Sequence, residues 1–378
     1  MRKLTIVIGL TLALAACGKK GGVTQTTSAT SSTAPAAEAK LDAALVDRAK
    51  AHAAGCTVVV ESGQAYQCGA GIADATSALV REKKPADMAR TLATLSRSKD
   101  DPKVAAAAAA ILADQWDYLS EDTKRANATP AALEALVGAY AESPGPRASR
   151  LAKPLAHVAT LAKSGDKAVA AIQAHSVKAA RDEGYRNLLT FGRLDLFPAV
   201  KAAGASKEHA RAALEAVRVM YKPTDAEKAA VCPWAQGFLG DGDGEVAAAA
   251  GYDMVYCRGA YVDALLTEAT KRLDGGQYKN PFAMVMREPC FEMAGKLTPS
   301  AADVAQCDKV YAFLERAAND PKVDDATRGL ALWNIYYQRR DDKTLKLMRR
   351  YENNANKEVS KRAKEAIKSL NETYKLKG

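Results

Sequence analysis

The residues of this 378-residue chain best suited to chemistry are its seven cysteines. Six of them, Cys56, Cys68, Cys232, Cys257, Cys290 and Cys307, fall into near-neighbour pairs along the sequence. None belongs to a Cys-x-x-Cys motif and none has histidines at ligand spacing, so disulfides are expected and a zinc site is not. An even count suits an exported chain in an oxidising compartment. Sequence alone leaves the connectivity open. Order along the chain favours Cys56–Cys68, Cys232–Cys257 and Cys290–Cys307, each closing a short loop and contributing about 2–4 kcal/mol. The seventh cysteine, Cys17, stands apart from these pairs.

Other familiar constellations fail on their context. His52, His157, His175 and His209 are scattered, with no His-Glu-x-x-His among them. Ser96-Arg97-Ser98-Lys99 and Ser164-Gly165-Asp166-Lys167 match Ser-x-x-Lys, but that chemistry needs a sheet edge beside the serine helix and no such strands are legible. Asp241-Gly242-Asp243-Gly244-Glu245 has the acidic spacing of half a calcium loop. Counted from Asp241, however, Val246 and Tyr252 stand where an EF-hand needs glycine and glutamate. The segment is expected to be an inter-helix turn whose carboxylates serve the next helix start. Trp116, Trp234 and Trp333, with Tyr336 and Tyr337, are expected to pack between helices. No phosphate loop is present. Catalytic residues, metal ligands and cofactors are therefore expected to be absent, with the enzyme class set aside.

Cys17 owes its meaning to the residues before it. Arg2 and Lys3 precede an uncharged apolar stretch, Leu4 to Ala16. That stretch is too short for the roughly 20 residues of a membrane-spanning helix and has the form of a secretory signal. It closes in Leu14-Ala15-Ala16-Cys17-Gly18, which resembles the bacterial lipobox. The resemblance implies cleavage before Cys17, acylation of its thiol and amine, and, with Gly18 rather than Asp following, sorting to the periplasmic face of the outer membrane of a Gram-negative bacterium. Two or more acyl chains anchor stably, since each buried methylene contributes about 0.8 kcal/mol. Residues 18–40 are Gly-, Lys-, Ser-, Thr-, Ala- and Pro-rich and cannot bury enough surface to fold. As a flexible coil they would reach about 25–30 Å.

The remaining chain must position whatever the anchor carries. Its alanine abundance favours closely packed helices, and its length exceeds one ordinary core. Cys56-Thr57-Val58-Val59-Val60, a Glu61–Gln64 turn and Ala65–Cys68 read as a small hairpin or loop stapled by its own disulfide. From Pro85 onward apolar helical segments alternate with short polar breaks. Asp-Pro-Lys-Val recurs at 101–104 and 320–323, close to six units of about 36 residues apart, and Val359 lies one unit beyond Val323. Val323 is expected to open a second helix after Asp320-Pro321 stops the first. In the last unit Val359, Ala363, Ala366 and Leu370 share one helix face. Gln115 and Asn334 put polar groups at the position that Leu370 holds there. This grammar resembles the HEAT repeat, in which an Asp-x-x-Val turn joins two helices. The match is good at 88–119, 303–338 and 341–373, fair at 226–257, and rests on spacing alone at 130–221. The resemblance implies an all-α fold, an α-solenoid of HEAT-like hairpins forming an α-α superhelix. The expected organisation is signal peptide 1–16, lipid-anchored linker 17–40, N-terminal cap with the stapled hairpin 41–84, and repeat array 85–378.

The formal charge is +10, and the excess is concentrated from Arg339 onward. An exported protein does not routinely meet nucleic acid, so the expected partners are the membrane through its anchor and either another envelope protein or an anionic envelope polymer. The expected role is a membrane-anchored, non-catalytic protein-interaction scaffold. An enzyme or lyase-type subunit using the concave face, and a purely structural envelope component, are the alternatives.

Overall fold

The computed structural model describes residues 40–59, 65–68, 87–220, 223–254, 257, 260–291 and 299–376, the two strands in their backbone only. Cys17, its signal and most of the linker lie outside the described residues. Leu41–Gly378 forms one compact unit.

The unit opens with α1 (Ala43–Ala54), a hairpin of β1 (Cys56–Val59) and β2 (Ala65–Cys68), α2 (Met88–Leu95), α3 (Pro102–Trp116) and α4 (Glu121–Asn127). It continues through α5 (Pro130–Glu142), α6 (Gly145–Leu161), α7 (Gly165–Ala174), α8 (Lys178–Ala203), α9 (Lys207–Val217), α10 (Asp225–Gln236) and α11 (Gly244–Met254). It closes with α12 (Ala260–Asp274), α13 (Phe282–Val285), α14 (Ala301–Asn319), α15 (Asp325–Gln338), α16 (Asp342–Tyr351) and α17 (Lys357–Glu372).

Packing follows a two-layer rule. Helices α2, α5 and α7 touch in succession, and α3, α6 and α8 do the same alongside them. The second row then runs on through α9, α11, α13, α15 and α17, each against the one before. Neighbours in sequence close the hairpins: α2 with α3, α5 with α6, α7 with α8, α10 with α11, α14 with α15, α16 with α17. Each unit thus completes the core of its neighbour, the defining property of a solenoid. The fold is the expected all-α stack of helical hairpins with one small β-hairpin near its start. The helix α1 and strand β1 lie against α3, in the same unit as the array.

Small residues let the layers close. Ala105 to Ala110 in α3 are all buried, as are Ala247 to Ala250 in α11. A Cβ on Gly251 would stand 2.7 Å from Val285 Cγ1, so glycine sets the approach of α11 to α13. Caps are equally systematic. Asp101 accepts from the backbone N–H groups of Lys103 and Val104 at the start of α3, and Thr224 with Glu227, and Ser300 with Asp303, form capping boxes.

The two Asp-Pro-Lys-Val segments differ in role. Asp101 caps α3 with Pro102 as its first residue. Asp320 instead ends α14, and Val323 lies buried in the turn before Asp324, the cap of α15. Val323 therefore does not open the second helix; a longer turn moves the start to Asp325.

Arginines supply a second device. Helices end with carbonyls lacking intrahelical partners and with a partial negative charge. Arg147 donates to Ser96 O beyond α2 at 2.9 Å, Arg181 to His175 O beyond α7 at 2.7 Å, and Arg328 to Ala318 O near the end of α14 at 2.9 Å. Arg272 donates to Leu239 O at 2.9 Å and Asp241 O at 2.8 Å, with its guanidinium 4.6 Å above the Phe282 ring.

The long helix α8 breaks at Arg193, whose φ of 38° is left-handed and strained for a non-glycine residue. Its guanidinium forms a forked pair with buried Glu227, 2.5 and 2.8 Å, and Glu227 is the carboxylate of the α10 capping box. The Arg193 and Thr224 hydrogen bonds hold the Glu227 carboxyl down at about 2. One side chain therefore fixes the kink to the next helix start.

Candidate interaction face

Arginines and aromatic rings gather around helix α15. Its inner face is tied down by buried amides. Gln338 Nε2 donates to Met286 O at 2.7 Å, and its Oε1 accepts from Cys290 N at 2.9 Å. One turn earlier Asn334 Nδ2 donates to Ala283 O at 3.0 Å, while its Oδ1 has no partner. The other side of the helix meets α17. There the Tyr336 and Ser369 hydroxyls share a hydrogen bond of 2.6 Å, and Arg362 lies 5.4 Å over the Trp333 ring.

With the helix held on both sides, its C-terminal residues gather a cluster. Phe291 stacks on Tyr337 with centroids 4.9 Å apart and planes 18° apart. Arg287 lies 4.7 Å over the same ring and pairs with Glu288 at 2.5 Å. Arg340 stands 5.9, 5.5 and 5.2 Å from the rings of Tyr336, Tyr337 and Tyr374. It makes no hydrogen bond or ion pair among the described residues, and its Nε is buried without a partner. Phe291 is 38% exposed and Tyr374 37%, so the cluster opens to solvent at both ends. Alongside, Arg339 lies 4.3 Å over Tyr311, whose hydroxyl burial pushes up to about 12.

The structure distributes the other candidate residues. Cys232–Cys257 joins α10 to the residues just after α11, with Cα atoms 5.8 Å apart. Cys290–Cys307 ties the segment after α13 to α14 at 5.7 Å. Both expected pairings are present. Cys56 lies directly opposite Cys68 in the antiparallel register, and the sulfur atoms of that pair lie outside the described residues. No group of three or more His, Cys, Asp or Glu is placed to hold a metal among the described residues.

The histidines join helices. Trp116 Nε1 donates to His157 Nδ1 at 3.2 Å, which puts the His157 proton on Nε2, and the imidazole stacks on Phe191 at 4.3 Å. Burial holds His157 below the ordinary histidine value. His175 Nδ1 accepts from Val177 N at 3.1 Å, leaving Nε2 to donate to Ser143 O at 3.1 Å. Trp234 packs edge-on against Phe197 and Phe238. Of the aromatics expected to pack between helices, Trp116 and Tyr336 are buried, while Trp333 and Tyr337 are only half-buried and sit beneath cations. In the acidic loop, Asp241 accepts from Asp243 N and Asp243 from Glu245 N, both at 2.8 Å, so these carboxylates serve the turn before α11.

Asp253 gave no signal in the sequence. Near the end of α11 it is fully buried, with neither oxygen hydrogen-bonded and Arg218 Nε at 3.8 Å. It lines a small cavity of about 10 Å³ with Val217, Met220, Glu227 and Cys232. Burial pushes its carboxyl well above the usual carboxylate range, against the pull of Arg218.

No family model matches the chain, and no curated protein does. Among solved structures, the crystal structure of Kap121p bound to RanGTP is similar over 86% of this chain at 11% identity, with a TM-score of 0.38. This chain spans 40% of the length of that one.

Proposed function

We propose that this protein is a non-catalytic interaction scaffold of the bacterial envelope, anchored by an acylated Cys17 to the periplasmic face of the outer membrane. The α15 cluster is the observation that carries the reading. Tyr, Trp and Arg are the residues that dominate protein–protein binding energy. Here Arg287, Arg340, Tyr337, Phe291 and Tyr374 meet at one place on the surface. Their partner groups are rings rather than carboxylates, except for the Arg287–Glu288 pair. Such cations keep their capacity to meet an acidic group on another protein. The hairpin stack supplies the rigid support, and the lipobox supplies the location.

The test places a photo-crosslinking side chain at Phe291 or Tyr374 in living cells, with Tyr118, 64% exposed and outside the cluster, as the control. A discrete adduct from the first two positions and none from Tyr118 is expected. No adduct, or the same adducts from all three, would sink the reading. Fatty-acid labelling that persists in Cys17→Ser would remove the anchor.

A further inference from the structure

Helix α17 carries two stripes of identical spacing. Val359, Ala363, Ala366 and Leu370 are buried. Lys357, Lys361, Lys364 and Lys368 repeat the same interval, offset by two residues, and all four are exposed. Two residues turn a helix by about 200°, so the lysines run along the side opposite the core. None of the four makes an ion pair or hydrogen bond among the described residues. Glu365 lies beside them but pairs with Arg362 at 2.9 Å, and Glu358 is half-buried. Asn354, Lys357, Ser360, Lys361, Lys364 and Glu365 line a shallow, open depression on this face.

The fold does not require this arrangement. A terminal repeat needs a polar outer face, and charges of mixed sign provide one. Like charges three and four residues apart destabilise a helix instead. Lys357, at the first position of α17, also opposes the helix dipole. A stripe that works against its own helix points to an external anion.

We propose that the lysine face of α17 docks on the anionic phospholipid headgroups of a membrane. The composition selects a lipid surface over an acidic protein. Protein interfaces concentrate aromatics and arginine and are depleted of lysine, whereas clusters of four or more basic residues on an amphipathic helix bind anionic lipid. The stripe spans about 16 Å of helix without a large apolar side chain among its lysines, which matches a flat, charged surface. The proposal rests on the membrane-anchored reading only for its location.

The test uses Leu41–Gly378, which forms its own compact unit and lacks the anchor, so that docking and anchoring fail separately. Co-sedimentation is measured with vesicles of phosphatidylglycerol and phosphatidylcholine, and with phosphatidylcholine alone. Each lysine beside an anionic surface strengthens binding about five-fold. The K357Q/K361Q/K364Q/K368Q variant is therefore expected to lose several hundred-fold in partitioning. A control that removes the exposed Lys99, Lys103, Lys201 and Lys207 should keep most of it. Unchanged helicity and a urea midpoint no lower than that of the wild type certify the fold of each variant. Equal partitioning of the wild type and the α17 variant overturns the proposal. So does binding to soluble heparin without binding to vesicles, which would assign the face to a polymer.

Discussion

Gln338 and Asn334 lie one turn apart on α15, are both fully buried, and point at the same neighbouring segment, yet their replacement by leucine should cost very different amounts. Gln338→Leu removes the partners of two buried backbone groups, Met286 O and Cys290 N–H. Leaving a buried polar group unsatisfied costs about 1–3 kcal/mol. Two of them cost about 2–6 kcal/mol, and the added apolar side chain returns about 1 kcal/mol. The expected net loss is about 1–5 kcal/mol. Asn334→Leu strands only Ala283 O. It also removes Asn334 Oδ1, which is already unsatisfied. The two effects nearly cancel, to a net of about 0–1 kcal/mol. Urea unfolding measures the shift in midpoint, with an unchanged m-value certifying that stability alone has moved. Hydrogen exchange of the amides in 282–291 then localises it. Partner count as the determinant is refuted if N334L costs as much as Q338L, or if both are neutral.

Other outcomes follow from the same kind of reasoning. Glu227→Gln weakens the forked pair that holds the α8 kink and should cost about 1–2 kcal/mol at neutral pH, discounted because Arg193 is partly exposed. Its folded pKa of about 2 lies below the ordinary 4.5, so the wild type should lose this stability as pH falls from 4.5 towards 2, and the variant should lack that slope in thermal melts. Asp253→Asn should stabilise at neutral pH. The raised carboxyl pKa makes the wild type gain stability as pH falls towards 3.8, so the advantage of the variant should shrink in urea titrations over that range. Replacing Cys232 and Cys257 together by serine opens a 25-residue loop and should cost about 3 kcal/mol. Peptide mapping of the wild type without reductant should find no free thiol at Cys232 or Cys290.

Much of the fold was legible because it is written in local patterns. Caps, helix stops and the four-residue faces of α17 involve residues close in sequence, and the pairing order of the cysteines follows from neighbouring helices having to touch. The units at 88–119, 303–338 and 341–373 appear as hairpins where the spacing placed them. The break in α8 was not legible, because an arginine at φ 38° carries no compositional signal and is stabilised by Glu227, 34 residues away. Gln115 and Asn334 looked like flaws in a degenerate motif. The structure makes Asn334 part of a buried amide tie between layers, since backbone carbonyls of α13 need a donor that only a neighbouring helix supplies. Asp253 was likewise silent until burial removed its solvent. The α15 cluster was seen as packing aromatics alone, because Arg287, Phe291 and Tyr374 reach it from segments far from Tyr337 and Arg340 in sequence. Helix periodicity and the cysteine order belong to the sequence, for each depends on residues within a few turns of one another. Which polar groups lose water, and which charges meet rings rather than carboxylates, depends on long-range juxtaposition, and only the stacking of the layers decided it.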